Sequence, residues 1–282
     1  MALTNHAESR NVIVDEMNKR VKVLSYHSSE IEQINRDIEQ LADDIEATKL
    51  IIYAKKSDVS AWNSLGYVAE GIIDGFDHGR NAHMMSRFLT QERGGSKAHQ
   101  LAEDILQICL TKQNEPAEKL VLPPVYTSRE ATVDDAKALA ALYQLVFATY
   151  PTPMDDPEYV RQTMLESTHY HVIESNGQIV CAASAEVTPE YQSAEITDCA
   201  THPDHLGNSL LKYLFPSLEY KLMEMGVFYL YTLTRAQSHG MNITAAKQGY
   251  RYRGRLINNC TIFSGFEDMN IWVKPLKETT EA

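Results

Sequence analysis

At 282 residues, with 44% hydrophobic and 23% charged residues, the chain reads as a globular protein with room for two ordinary cores. Its formal net charge of −12 opposes nucleic acid and anionic membrane and favours small cationic partners. The N-terminus has no apolar segment of signal-peptide length and no stretch matches a membrane span, so the chain reads as cytoplasmic, with Cys109, Cys181, Cys199 and Cys260 as separate free thiols.

The alternation of "NVIVDE" and "RVKVLSY" predicts two strands. "SSEIEQINRDIEQLADDIEA" carries Ile31, Ile34, Ile38, Leu41 and Ile45 at helical spacing. "KLIIYAK" reads as a buried strand, and "SDVSAWNSL" as a short helix capped by Ser57 and ended at Gly66. Two strands, "YVAEGIID" and "NAHMMSRFL", close this first half. Residues 96–113 suit a linking helix, and "NEPAEKLVLPPV" has the prolines and charges of an interdomain linker.

The second half begins near Val125. "TVDDAKALAALYQLVFATYP" opens on a capping box of Thr132 and Asp135 and is expected to stop at Pro151 and Pro153. A short helix, "DPEYVRQTMLES", is followed by strands "HYHVIES" and "QIVCAASAEV" around the hairpin pair Asn176-Gly177. "AEITDCATHPDHLGNSLLKYLF" then reads as strand, tight turn and helix. "VFYLYTLT" is a strand, "SHGMNITAAKQ" a helix, and two strands finish at Lys274.

The halves share one order: an apolar strand, a short helix, Gly-Tyr (Gly66-Tyr67; Gly249-Tyr250), a further glycine (Gly71; Gly254), and a closing strand with Met84 or Met269. That order argues for two related lobes, with boundaries at 1–95, 96–124 for the linking helix and linker, and 125–276. Only the second lobe holds the strand–turn–helix of residues 194–215, so the chemistry is expected there.

That stretch has the rhythm of a loop cradling the pyrophosphate of coenzyme A, in which helix N-terminal amides and the helix dipole face the anion. It resembles the GNAT acetyltransferase superfamily, whose loop reads R-G-x-G-x-G after a proline. With Pro203 and Gly207 aligned, Leu206 stands at the arginine, Ser209 at the second glycine and Leu211 at the third. The resemblance implies an α+β fold of two GNAT-like lobes. Each would be a mixed, mostly antiparallel sheet flanked by helices, the second being the complete acetyltransferase domain. It implies acetyl-CoA as co-substrate, with the pantetheine arm paired along Cys199, Ala200 and Thr201. The pyrophosphate would lie on Leu206, Gly207, Asn208, Ser209, Leu210 and Leu211, and Asn242 would bind the pantetheine.

Glu195 falls where many members place a general base. An alkylamine with a pKa near 10.4 is uncharged in only about one molecule per thousand at neutral pH, so a proton acceptor is needed. Asp198 is a second carboxylate, which strand alternation puts on the opposite face. Ala245 replaces the tyrosine that often serves as general acid.

"VFATYPTP", "AEITDCATHP", "HGMNITAAKQGYRYRG", "LINNCTI", "MNIWVKPL" and "GFDHGRNAHMMSRFL" together resemble one branch, the β-lysine N-acetyltransferases, over residues 10–276. This implies acetylation of the side-chain amine of β-lysine to a compatible solute used in osmoadaptation. For the substrate carboxylate the candidates are Arg251, Arg253 and Arg255 on one strand side, followed by Asn258 and Asn259, while the resemblance puts Tyr150 where GNAT substrate loops sit. Another small amine, such as a polyamine or amino acid, and a non-catalytic GNAT-like protein remain open, as does a homodimer. His169, His171, His202 and His205 lack a third ligand at zinc spacing, so no metal is expected.

Overall fold

A computed structural model describes residues 11–113, 121–262 and 265–276; most of the expected linker, 114–120, lies outside them. The elements run β1 (Asn11–Asp15), β2 (Arg20–Ser25), α1 (Ile31–Asp44), β3 (Lys49–Ala54), α2 (Val59–Ser64), β4 (Val68–Asp77), β5 (Arg80–Phe88), α3 (Gln91–Gly94) and α4 (His99–Lys112). There follow β6 (Thr127–Glu130), α5 (Ala136–Val146), α6 (Pro157–Glu166), β7 (Thr168–Ser175), β8 (Gln178–Thr188) and β9 (Ser193–Thr201). The chain ends with α7 (Leu211–Glu224), β10 (Tyr229–Arg235), α8 (His239–Lys247), β11 (Arg251–Ile262) and β12 (Gly265–Pro275).

All strands join one 12-stranded sheet in the order β1-β2-β3-β5-β4-β11-β12-β10-β9-β8-β7-β6. Among the described residues, only β2–β3 and β9–β10 pair in parallel. The mostly antiparallel mixed sheet flanked by helices is thus as expected. The repeat in the sequence is a repeat in the sheet: β3-β5-β4 and β11-β12-β10 are mirror orders about the β4–β11 seam. Each half has its parallel pair bridged by a helix, α1 between β2 and β3, α7 between β9 and β10.

Alternation along the strands decides what each face does. Val21, Val23, Leu50 and Ile52 face α1 and α2, packing on Ile34, Ile38 and Trp62. In the second half Ala183, Ala185, Ala194 and Ile196 pack beneath α7, α8 and α4. On the other face, α5 and α6 cover β7 to β9. Between these covered regions lies an apolar surface shared by both halves, with Ile51, Ile73, Phe76 and Met84 meeting Tyr191, Tyr231, Leu256 and Ile271.

The sheet curls across that shared surface until its distant parts touch. The Tyr191 hydroxyl donates to Ser25 Oγ at 3.1 Å, Asn11 reaches Glu190 at 3.3 Å, and the His78 amide donates to the Tyr191 carbonyl at 2.8 Å. Phe76 stacks on Tyr191 with centroids 4.9 Å apart. The first hairpin is thereby brought up to the β8–β9 turn.

The capping box of Thr132 and Asp135 forms, and Asn176 and Gly177 turn the hairpin at φ 50° and 75°. Two local expectations change. Ser57 does not cap α2; its hydroxyl donates instead to the Asp58 carboxylate at 2.8 Å. The helix expected to reach Pro151 ends at Val146, because Phe147 turns extended and packs on Tyr150 at 4.5 Å. Pro216 lies inside α7, where it cannot donate to the Lys212 carbonyl. The Gln248 side chain supplies that hydrogen bond at 3.2 Å.

Candidate functional site

β9 and β10 are hydrogen-bonded in parallel only at Ser193–Tyr229, Ala194–Leu230 and Glu195–Tyr231. β9 continues to Thr201 and β10 to Arg235, so the two strands part beyond Glu195. The backbone of Cys199, Ala200 and Thr201 borders this opening on the β9 side.

Glu195 stands at the point of separation. It pairs across the sheet with Glu186 on one side and Tyr231 on the other, so all three share a face. The Tyr231 hydroxyl favours the charged form of the Glu195 carboxyl. Burial, and next the Glu186 carboxylate, push the Glu195 carboxyl up to about 8, against the pull of the Lys22 ammonium and the Tyr231 hydroxyl.

Asp198 lies on the same face as Glu195, which corrects the alternation argument. β8 advances from Ser184 to Ala182 while β9 advances from Thr197 to Ala200, so β9 carries one extra residue. Asp198 takes up that bulge at φ 48°. The bulge reverses the later alternation: Ala200 packs with α5 and α6, whereas Cys199 packs beneath α7. Ser184 donates to the Asp198 carboxylate at 2.7 Å and Tyr150 at 3.1 Å, while Tyr143 donates to its carbonyl at 2.9 Å. Burial raises its carboxyl to about 6. Tyr150 thus holds a carboxylate beside the site, and its own hydroxyl is pushed up by burial and then by Asp198.

The turn after β9 begins with a short 3-10 helix, Pro203–His205. Leu206 is 65% exposed, Gly207 has φ 82° with open space where a Cβ would stand, and Ser209 has φ 52°. The first turn of α7 starts with the Lys212 amide on the Ser209 carbonyl and the Tyr213 amide on the Leu210 carbonyl. The amides just before them are of the kind a helix N-terminus leaves for an anion. Asn208 is exposed and donates to the His205 carbonyl, whereas Leu210 is buried and Leu211 packs on the α7 core.

Other expected residues are occupied elsewhere. Asn242 is fully buried; its Oδ1 accepts from Thr234, Asn270 and Trp272, and its Nδ2 donates to the carbonyls of Arg235 and Ser238. An amide has no further donor to offer, so Asn242 pins α8 to β10 and β12. A bulge between Tyr252 and Gly254 interrupts the expected row of arginines. Arg251 is exposed, Arg253 pairs with Asp74 at 2.8 Å, and Arg255 binds Asn270 at 2.8 Å. Asn258 Nδ2 serves the carbonyls of Glu92, Arg93 and Gly95, and the Asn259 carbonyl accepts from Arg20 at 2.9 Å. The side chains of Arg253, Arg255 and Asn258, with the backbone of Asn259, fasten β11 to the first half and to α3 and α4, while the Asn259 Oδ1 is buried without a hydrogen-bond partner among the described residues. Among the described residues no three of His, Cys, Asp and Glu gather as a metal ion would need, and no helix is long and apolar enough to cross a membrane.

The first half brings residues that the sequence did not single out. Lys22 on β2 and Tyr53 on β3 act electrostatically on both Glu195 and Glu186. Only the curl of the sheet brings them there, so no local motif could have marked them.

Residues 139–250 match the family model described as Acetyltransferase (GNAT) family. The N-acetyltransferase YodP of Bacillus subtilis is 38% identical over 93% of this chain and 94% of its own length. This chain belongs to the GNAT acetyltransferase family. A β-lysine N(6)-acetyltransferase of Methanosarcina mazei is 36% identical over 87% of this chain and 97% of its own. One of Methanococcus maripaludis is 31% identical over 93% and 94%. These relatives match both halves, whereas the GNAT family model covers part of the second half alone.

Proposed function

We propose that this GNAT acetyltransferase moves the acetyl group of acetyl-CoA to the side-chain amine of β-lysine, with Glu195 as general base. The observation that carries the reading is the position of Glu195, a carboxylate raised to about 8 at the point where β9 and β10 part. A group poised near working pH can take a proton from an ammonium and later release it. The names of the relatives at 36% and 31% identity supply the substrate.

The residues fit the co-substrate. The open space at Gly207 lets a phosphate approach the backbone, and the α7 N-terminus provides amides and a positive dipole end. Acetyl-CoA supplies the activated thioester. The β9 edge at Cys199 to Thr201 would pair with the pantetheine arm, while residues 206–211 hold the pyrophosphate. Tyr231, paired with Glu195 across the strands, favours the ionised carboxylate. Asp198, fixed by Ser184 and Tyr150, adds negative charge that draws an ammonium towards Glu195. Residues 1–95 form the N-terminal lobe and residues 125–276 the acetyltransferase domain.

The test offers the purified protein acetyl-CoA with β-lysine, α-lysine and polyamines, and follows the acetylated product by mass. Acetyl-β-lysine as the preferred product supports the reading. A faster reaction with another amine reassigns the substrate, and no product with any amine ends the proposal.

A further inference from the structure

The β4–β11 seam relates the two halves residue by residue. Gly254 pairs with Ile271 and Ile271 with Leu233; Gly71 pairs with Met84 and Met84 with Tyr53. Leu233 and Tyr53 are therefore equivalent positions. Two residues earlier on the same strands stand Tyr231 and Ile51, whose parallel partners are Glu195 and Lys22. Lys22 is thus the counterpart of Glu195, with the opposite charge.

Both lie on the shared face. Val21 and Val23 point to α1, so Lys22, with Arg20 and Leu24, points the other way, where Leu24 joins the surface around Phe76 and Tyr231. The Ser25–Tyr191 and Asn11–Glu190 hydrogen bonds bring β2 to the β8–β9 turn, and the Lys22 charge is felt by both Glu186 and Glu195. Neighbouring cations on this side are already engaged. Arg20 is paired with Asp15 at 2.8 Å and Lys49 with Glu70 at 2.7 Å. Among the described residues no carboxylate stands at ion-pairing distance from Lys22.

The shared face therefore carries a cationic group from the first half and carboxylates from the second, with Tyr53 and Tyr231 on the same face. This suits a substrate with a carboxylate at one end and an amine at the other. We propose that Lys22 binds the carboxylate of the amino-acid substrate, so that the first half, through β2, selects amino acids over simple diamines. The inference rests on the acetyltransferase reading of Glu195 and deepens it. It replaces Arg251, Arg253, Asn258 and Asn259 as the carboxylate clamp.

The charged groups that act most on Lys22 are Arg20, Asp15, Glu186 and Glu195. An ammonium among them could instead serve only to tune the Glu195 carboxylate, and the experiment separates these roles. Initial rates are measured for wild type, Lys22→Met and Lys22→Arg, with β-lysine and with the diamine left when its carboxylate is removed. Wild type is expected to favour β-lysine by at least about 10-fold in kcat/KM, as one charge-assisted pair provides. Lys22→Met should raise KM for β-lysine by about that factor, give a KM for the diamine no higher than that of wild type and bind acetyl-CoA as before, while Lys22→Arg keeps most of the selectivity.

Equal wild-type rates with acid and diamine would overturn the proposal without any variant, so a Lys22→Met protein that failed to fold would not shield it. An unchanged KM with a displaced pH profile of kcat would also overturn it and assign Lys22 to proton transfer. If wild type acetylates neither compound, the substrate reading fails first; if it acetylates β-lysine and Lys22→Met does so equally well, only the role of Lys22 fails.

Discussion

Gly71 and Gly254 face each other across the β4–β11 seam, the pair that joins the two halves into one sheet. A Cβ on Gly71 would lie 2.7 Å from the Arg253 carbonyl oxygen and 2.9 Å from Gly254 Cα. A Cβ on Gly254 would run into the Glu70 carbonyl and Gly71 Cα, at a φ of 144° that side chains rarely adopt. Backbone cannot yield there as a side chain can. Gly254→Ala should therefore cost about 3 kcal/mol or more, and Gly71→Ala somewhat less. Urea unfolding of both variants measures this, and wild-type midpoints would show that the seam has slack.

Glu195→Gln keeps the shape of the side chain but cannot accept a proton from the substrate. Its kcat should fall by about 100-fold or more while acetyl-CoA binds as in wild type, measured by steady-state kinetics and calorimetry. The wild-type rate should rise with pH as the carboxyl ionises and level off above about 8, and the variant should lose that limb. A Gln variant with full activity removes Glu195 from proton transfer.

The same carboxyl makes a prediction about stability. Its folded-state pKa lies above the unfolded value near 4.5, so the folded protein binds more protons between that value and about 8. Glu195 therefore costs stability progressively as pH rises through that window, and the cost is complete above it. Asp198, raised to about 6, acts in the same direction over a lower window. Glu195→Gln should melt higher than wild type at pH 9 and match it at pH 4; a variant less stable at both would show that the charge is not strained.

Asn242 accepts from three buried donors, so Asn242→Ala leaves Thr234, Asn270 and Trp272 with no acceptor at this point. The expected loss is about 3 kcal/mol of stability. Acetyl-CoA affinity of the folded variant should hardly change. A stable variant with weakened cofactor binding would return Asn242 to the pantetheine site.

Much of this was open to reading along the chain because it is local. Hydrophobic spacing placed the strands and most helices, and the Gly-Tyr recurrence disclosed the repeat. The Glu195 position came from the likeness of "AEITDCATHP" to the fourth strand of GNAT enzymes. Asp198 was misplaced because one extra residue in β9 reverses the face of everything after it, and nothing in "EITDCAT" reveals a bulge. Arg253 and Asn258 looked like ligand clamps because their partners, Asp74 and the carbonyls around Arg93, come from the distant first half. Lys22 was silent for the same reason: its meaning depends on a curl that joins residues near the start of the chain to a turn near Tyr191.

The turn at Leu206 offers a gain-of-function test. Its side chain is 65% exposed at the position where the usual loop has an arginine, and Gly207 beside it leaves open space. A guanidinium there could meet a phosphate without displacing any packed group, since Leu206 contributes little to the core. Leu206→Arg should tighten acetyl-CoA binding by about 3- to 10-fold at low salt, and the gain should shrink as salt screens the pair. Calorimetric titration at two ionic strengths gives both numbers. A variant that folds normally and binds no more tightly at low salt would place the pyrophosphate away from this turn, and with it the cradle assigned to residues 206–211.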